Sequence, residues 1–291
     1  MDPRPYQIAA LAGLLAFGLL VLDFDIGPSR AALLIGVGLL AQYMFGRAAG
    51  LRRFDPKSAL ISGLSLCLLL RTGSPALAAS AAVLAIGSKF VLRVRGKHVF
   101  NPTNFGLAAA VLLSGGAAWI SPGQWGSSAF LAFAFVCAGG LVVHRALRSD
   151  VTLTFLAAWA ALLFARALRL GDPPAIPIHQ LENGSLLLFA FFMISDPRTT
   201  PDSRAGRLVF GALVAVVAYF WQFALFRTAG PVWSLFALSP LVPLLDRLLP
   251  GSRYEWPHGG THAQKAAAPR PRLVLVGRAR PFLLRVLRRE G

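Results

Sequence analysis

Apolar stretches of bilayer length recur along the whole chain, and this limits the folds open to it. A helix rises ~1.5 Å per residue, so crossing ~30 Å of hydrocarbon takes about 20 apolar residues. Candidate segments lie near residues 7–24, 31–48, 58–71, 75–92, 102–116, 126–146, 150–168, 182–195, 206–227 and 231–248. A helix satisfies its own backbone hydrogen bonds in lipid. Ten such runs therefore predict an all-α polytopic membrane protein partnered by the lipid bilayer. Composition agrees: 56% of residues are hydrophobic and 14% charged, against roughly 25% charged in soluble domains. The stretch "IAALAGLLAFGLLVLDFDI" (8–26) lacks a basic leader region and a small-residue cleavage site, so it reads as the first span.

The net charge of +17 would suit a nucleic-acid binder, but its placement does not. Arg and Lys sit in short loops between apolar runs and in the tail, where they act as topology determinants. Of the 29 Lys and Arg residues, Arg30, Arg71, Arg166, Arg169 and Arg227 fall on one side of the alternating spans; all others share the side of the N-terminus. Positive-inside bias then puts both termini in the cytoplasm. Arg greatly outnumbers Lys, as in high-GC coding, so the expected location is a bacterial inner (cytoplasmic) membrane. Residues 1–248 form the transmembrane region and 249–291 a basic cytoplasmic tail. Its "RPRLVLVGRARPFLLRVLRRE" (270–290) suits either an amphipathic segment on an anionic leaflet or disorder. Cys67 and Cys137 lie inside apolar runs without CxxC spacing and are expected to pack.

Several runs are too short to cross alone. "SALISGLSLCLLL" (58–70) and "NGSLLLFAFFMI" (183–194) break into "RTGSP" and "SDPRTTP". Two others begin at a proline: "NPTNFGLAAAVLL" (101–113) and "SPLVPLLDRLL" (239–249). The order short, long, short occurs once in each half. This predicts two inverted five-segment repeats, about 1–125 and 126–248, with half-helices at equivalent positions. Such interruptions point to a binding site near the midplane. Asn101 is placed to cap the first turn after it, and Pro102 gives up only an N–H that lacks a partner there. The positive end of that half-helix favours an electron-rich group.

These residues, read with "GKHVFNPTNFGLAAAVLL" (96–113) and "FFMISDPRTTPDSRAGRLVFGALVA" (191–215), carry a resemblance. The chain resembles the NqrB/RnfD family. RnfD is the membrane subunit of Rnf-type electron transport complexes, and NqrB is its counterpart in the Na+-translocating NADH:quinone reductase. The likeness spans roughly residues 45–250, and among relatives is strongest to shortened stand-alone forms associated with enediyne biosynthesis. It implies ten helices in two inverted repeats, flavins carrying electrons while an ion moves, and other electron-transport subunits as partners. Family members hold FMN covalently on a Thr of a large outer loop. Here that loop is only "SGGAAWISPGQWGSS" (114–128), with no Thr, so no covalent FMN is expected. A non-covalent flavin (riboflavin or FMN) lies in relatives beside an "N-F-L-N-P" turn. "HVFNP" (98–102) corresponds to it, with Asn101 matching and His98 in place of the first Asn. Lys57 stands where the reductase has an acid, a departure that weighs against inherited sodium coupling.

The candidate cofactor-binding residues are therefore Asn101, Pro102, Asn104, His98, Asp196 and Thr199. No residue is assigned a catalytic role, and no Cys/His spacing suits a metal. The expected function is an electron-transport-type membrane subunit binding a non-covalent flavin or quinone-like group, with coupling to ion movement. Two alternatives stay open: a redox-silent transporter or channel on the same scaffold, and an accessory membrane protein of natural-product (enediyne-type) biosynthesis. Lys89 and Lys97 read as snorkelling residues near span ends. Asp246, an acid at a span edge, reads as a functional candidate, with pairing to Arg247 as the structural alternative.

Overall fold

The structure, a computed structural model, describes residues 2–121 and 129–255, with side chains left undescribed at 129–133. The basic tail lies outside the described residues from 256 onward, as does the start of the sixth apolar run. The described residues are mainly helical, in this order: α1 (Arg4–Leu20), α2 (Pro28–Ala48), α3 (Lys57–Leu69), β1 (Leu70–Thr72), α4 (Pro75–Val91), β2 (Arg93–Val94), β3 (Lys97–His98), α5 (Pro102–Leu113) and β4 (Ala118–Ile120). Then come α6 (Ala129–Arg145), α7 (Ser149–Leu170), α8 (Ala175–Leu181), α9 (Gly184–Leu188), a π-helix (Phe189–Met193), α10 (Arg204–Phe223), α11 (Gly230–Leu238), a 3-10 turn (Ser239–Leu241) and α12 (Val242–Leu248). Each apolar run is largely helical where described. Among the described residues α2, α7 and α10 are long and apolar enough to cross a membrane.

Helix starts follow local chemistry. The side chains of Ser74, Asn101, Asn183 and Ser203 accept backbone N–H bonds at the starts of α4, α5, α9 and α10. This satisfies donors that the first turn leaves open. α7 ends at Gly171, whose φ of 74° is left-handed and suits glycine.

Ends buried in the bundle are closed by longer reaches. α3 stops at Leu69, and Arg71 folds back so that Nη1 donates to the carbonyls of Cys67 and Leu70, each at 2.9 Å. The same guanidinium lies 5.6 Å from the Phe24 ring centre. The π-helix is closed in a similar way. Thr152 Oγ1 donates to Ala190 O (2.8 Å), Ser195 Oγ to Phe191 O (2.6 Å) and Asn101 Nδ2 to Met193 O (3.3 Å). Free carbonyls in an apolar core are costly, and these donors remove the cost.

The most extensive packing joins α2 with α4, α4 with α5, α7 with α10, and α10 with α11. Small residues allow the close crossings, as at other apolar helix contacts. A Cβ on Gly106 would sit 2.7 Å from Ala85 Cβ and 2.8 Å from Ala81 O; one on Gly211 would sit 2.9 Å from Val151 O. Two short antiparallel ribbons tie the loops. β1 pairs β4 with Arg71 opposite Trp119, and β2 pairs β3 with Arg93 opposite His98. The β2–β3 turn places Arg95 and Gly96 at φ 52° and 75°, the paired positive angles of a tight hairpin turn.

Four expectations from sequence are corrected. Lys89 does not snorkel: it is 3% exposed and donates to Gln42 Oε1 (2.6 Å) and Ser58 Oγ (3.1 Å). Lys97 does not reach outward either, and Asp246 finds it instead of Arg247. Lys97 Nζ lies 2.7 Å from Asp246 Oδ2 and 2.9 Å from Asp202 Oδ1, so the hairpin is pinned to α12 and to the approach to α10. Cys67 is buried as expected, whereas Cys137 is exposed.

Candidate functional site

Four parts of the chain bring polar groups to one end of the bundle. The β2–β3 hairpin carries His98, the start of α5 carries Asn101 and Pro102, the turn after the π-helix carries Asp196 and Arg198, and the first turns of α3 bring Ser58 and Ser62. Together with Arg4 and Gln7 of α1 they line a pocket of about 70 Å³.

Asn101 is its central residue and is 6% exposed. Its Oδ1 accepts the Asn104 N–H at 3.1 Å. Its Nδ2 donates to both Met193 O and Asp196 Oδ2, each at 3.3 Å. One amide thus caps α5, closes the π-helix and meets the acid of the second half.

Asp196 anchors its own turn. Its carbonyl accepts the Thr199 and Thr200 N–H groups at 3.2 and 3.1 Å, and its Oδ1 accepts the Arg198 N–H at 3.0 Å. Burial pushes its carboxyl above the usual range, outweighing the Arg198 N–H bond and the positive charges of Arg198, Arg148 and Lys89. Arg148, 4% exposed, holds the turn from below by donating to Thr200 Oγ1 at 2.9 Å. His98 is held neutral: burial first, then the charges of Arg198, Arg93, Lys89 and Arg253, push it down to about 3.

The six sequence candidates separate on this geometry. His98, Asn101, Pro102 and Asp196 border the pocket. Thr199 stands behind it, its Oγ1 donating to Asp196 O at 3.3 Å. Asn104 turns away: it is fully buried, with Nδ2 donating to Val232 O of α11 at 2.8 Å, and it belongs to the wall behind. Ser58, Ser62 and Gln7 join the lining without being singled out by sequence, and Arg198 of the Asp196 turn lines it as well. The "HVFNP" and "SDPRTTP" turns stand out in the chain, but the first turns of α1 and α3 carry no signal linking them to those turns.

The residues fit a flavin in kind but not in space. An amide, a neutral imidazole and an arginine suit a heteroaromatic edge. However, pockets for ligands of that size run to roughly 300–1,000 Å³, against about 70 Å³ here. A water needs about 10–15 Å³, so the pocket is scaled to a few waters or a small ion.

Comparison with known proteins bears on the second half. Residues 115–255 match the NQR2, RnfD, RnfE family. The D component of the ion-translocating oxidoreductase complex from Escherichia coli O1:K1 / APEC is 32% identical over 133 residues, 45% of this chain and 35% of that protein. Its counterpart from Escherichia coli O9:H4 (strain HS) is 31% identical over the same share of each. The chain spans about a third of the length of these relatives. The part of the chain that builds the π-helix, the Asp196 turn and α10–α12 thus lies within the stretch that is similar to the NQR2, RnfD, RnfE family, as the resemblance in the sequence implies.

Proposed function

We propose that this chain is the membrane subunit of an electron-transport complex of the RnfD kind, and that its Asn101 vestibule handles a water-sized ion or water beside the electron path. The carrying observation is the junction of Asn101 with Met193 and Asp196. It forms a buried polar cluster where the two halves of the chain meet. Relatives named as components of an ion-translocating oxidoreductase complex support the redox reading over a redox-silent channel. Other subunits of such a complex are the proposed partners. The flavin or quinone-like group expected from sequence lies outside the closed vestibule, on grounds of size.

The ten-span, two-repeat architecture belongs to the same proposal. The α2–α4 and α4–α5 contacts recur as α7–α10 and α10–α11, which supports an internal repeat. Positive-inside bias supports an inner-membrane protein with cytoplasmic termini.

The test has two arms. Tagged full-length protein isolated from its native membrane should bring other redox subunits with it. In vesicles from the same cells, redox-driven sodium or proton uptake should fall in Asn101→Leu while the protein remains in the membrane. Isolation of the chain without redox partners, or uptake equal to wild type, would overturn the reading.

A further inference from the structure

At the opposite end of α5 and of the α9–π segment lies a second and larger pocket, of about 370 Å³. We infer that it is a binding site for a neutral hydroxyaromatic molecule of the phenol or naphthol class. Its volume falls in the range of small-molecule sites, unlike the vestibule at Asn101.

The chemistry of the walls selects the ligand. Trp159 and Phe189, both nearly fully buried, present ring surface together with Leu69, Ile120 and Leu186. Aromatic walls favour a flat apolar body at offset or edge-on contact. The polar requirement is specific. Gln180 Oε1 is enclosed and has no hydrogen-bond partner among the described residues, and Gln180 lines this pocket. A buried acceptor left open costs free energy that a ligand O–H would recover. Gln180 is an acceptor only at that oxygen, so the ligand must bring the donor. Among the described residues no acid lines the pocket, and the one charged residue that does, Arg227, is exposed. A charged ligand would therefore find no buried counter-charge, whereas a neutral hydroxyl needs none.

The two pockets are backed by one element. Phe189 lines the large pocket and Phe192 the small one, and both belong to the five-residue π-helix. Single π turns concentrate at functional sites. Val232 also lines the large pocket, and its carbonyl accepts from Asn104, so the wall is continuous from Asn101 to the ligand site. The inference does not depend on the proposed role of the vestibule.

The experiment uses the full chain in lipid nanodiscs, with 2-naphthol and naphthalene as probes and energy transfer from tryptophan as the readout. Saturable 2-naphthol binding above that of empty nanodiscs is expected. Gln180→Leu should weaken it about ten-fold while leaving naphthalene unchanged, the loss of one well-placed hydrogen bond. Ser185→Phe, which fills the pocket from its rim, should abolish binding of both; circular dichroism and gel filtration establish that each variant is folded. Ser203→Ala, which removes only the cap at the start of α10, should bind 2-naphthol as wild type does. Absence of saturable binding, or 2-naphthol binding indifferent to either Gln180→Leu or Ser185→Phe, would overturn the inference.

Discussion

The side-chain amide of Asn101 donates to the carbonyl of Met193 across 3.3 Å, joining residues 92 positions apart. The bond closes the buried end of the π-helix. It also gives Asn101 two structural duties, because its oxygen caps α5 in the same geometry. Losing the cap costs about 0.5–2 kcal/mol, and stranding a buried carbonyl costs about 1–3 kcal/mol more. Asn101→Leu should therefore destabilise the protein by roughly 2–4 kcal/mol, measured by unfolding in mixed micelles. Ser203→Ala, which removes a cap alone, should cost only about 1 kcal/mol. Equal costs for the two would show that the Met193 bond contributes nothing.

Lys97 bridges the hairpin to the acids Asp202 and Asp246, all three side chains being between 11% and 16% exposed. Lys97→Met leaves two facing carboxylates without this cation. Breaking such a pair from one side costs about 3–5 kcal/mol when buried, so a loss of about 3 kcal/mol is expected here. Adding Asp246→Leu to Lys97→Met should cost less than the sum of the single changes. Strict additivity in that cycle would refute the coupling.

His98 supplies a pH dependence. Its folded value of about 3 lies below the ordinary 6.5, so the unfolded chain binds the extra proton in between. The stability it contributes is complete above pH 6.5 and drains as the pH falls from there toward 3. Unfolding followed across that window should show wild type losing up to about 1.4 kcal/mol per pH unit more than His98→Gln. Parallel profiles would rule out a buried neutral histidine.

Gly106 and Gly13 should respond oppositely to alanine. A Cβ at Gly106 meets Ala85 and Ala81 below 3 Å, while one at Gly13 has nothing within 4 Å. Gly106→Ala should cost about 1–3 kcal/mol through overpacking, and Gly13→Ala should gain about 0.5–1 kcal/mol of helix propensity. Thermal unfolding of the pair checks both signs.

Topology is tested with reporter fusions. Fusions at Arg148 and Gly291 should report cytoplasm, and one at Gly123 the outside. A signal from the outside at Gly291 would reverse the charge argument.

The sequence by itself determined the helical segments, because hydrophobicity and the caps Ser74, Asn101, Asn183 and Ser203 act within one turn or one run. It also exposed Asn101 and Asp196, since a polar turn amid apolar residues stands out without any partner in view. Only the tertiary structure decided what those residues do. The π-helix of Phe189–Met193 reads as ordinary apolar helix, and its widened turn holds because Thr152 and Asn101, from distant parts of the chain, and the adjacent Ser195 take its carbonyls. Lys89 and Lys97 read as snorkelling residues because their partners, Gln42, Ser58, Asp202 and Asp246, lie 31 to 149 positions away. The sizes of the two pockets were likewise beyond sequence: each is lined by residues from several separate elements, so its volume is a property of packed surfaces and not of any one segment.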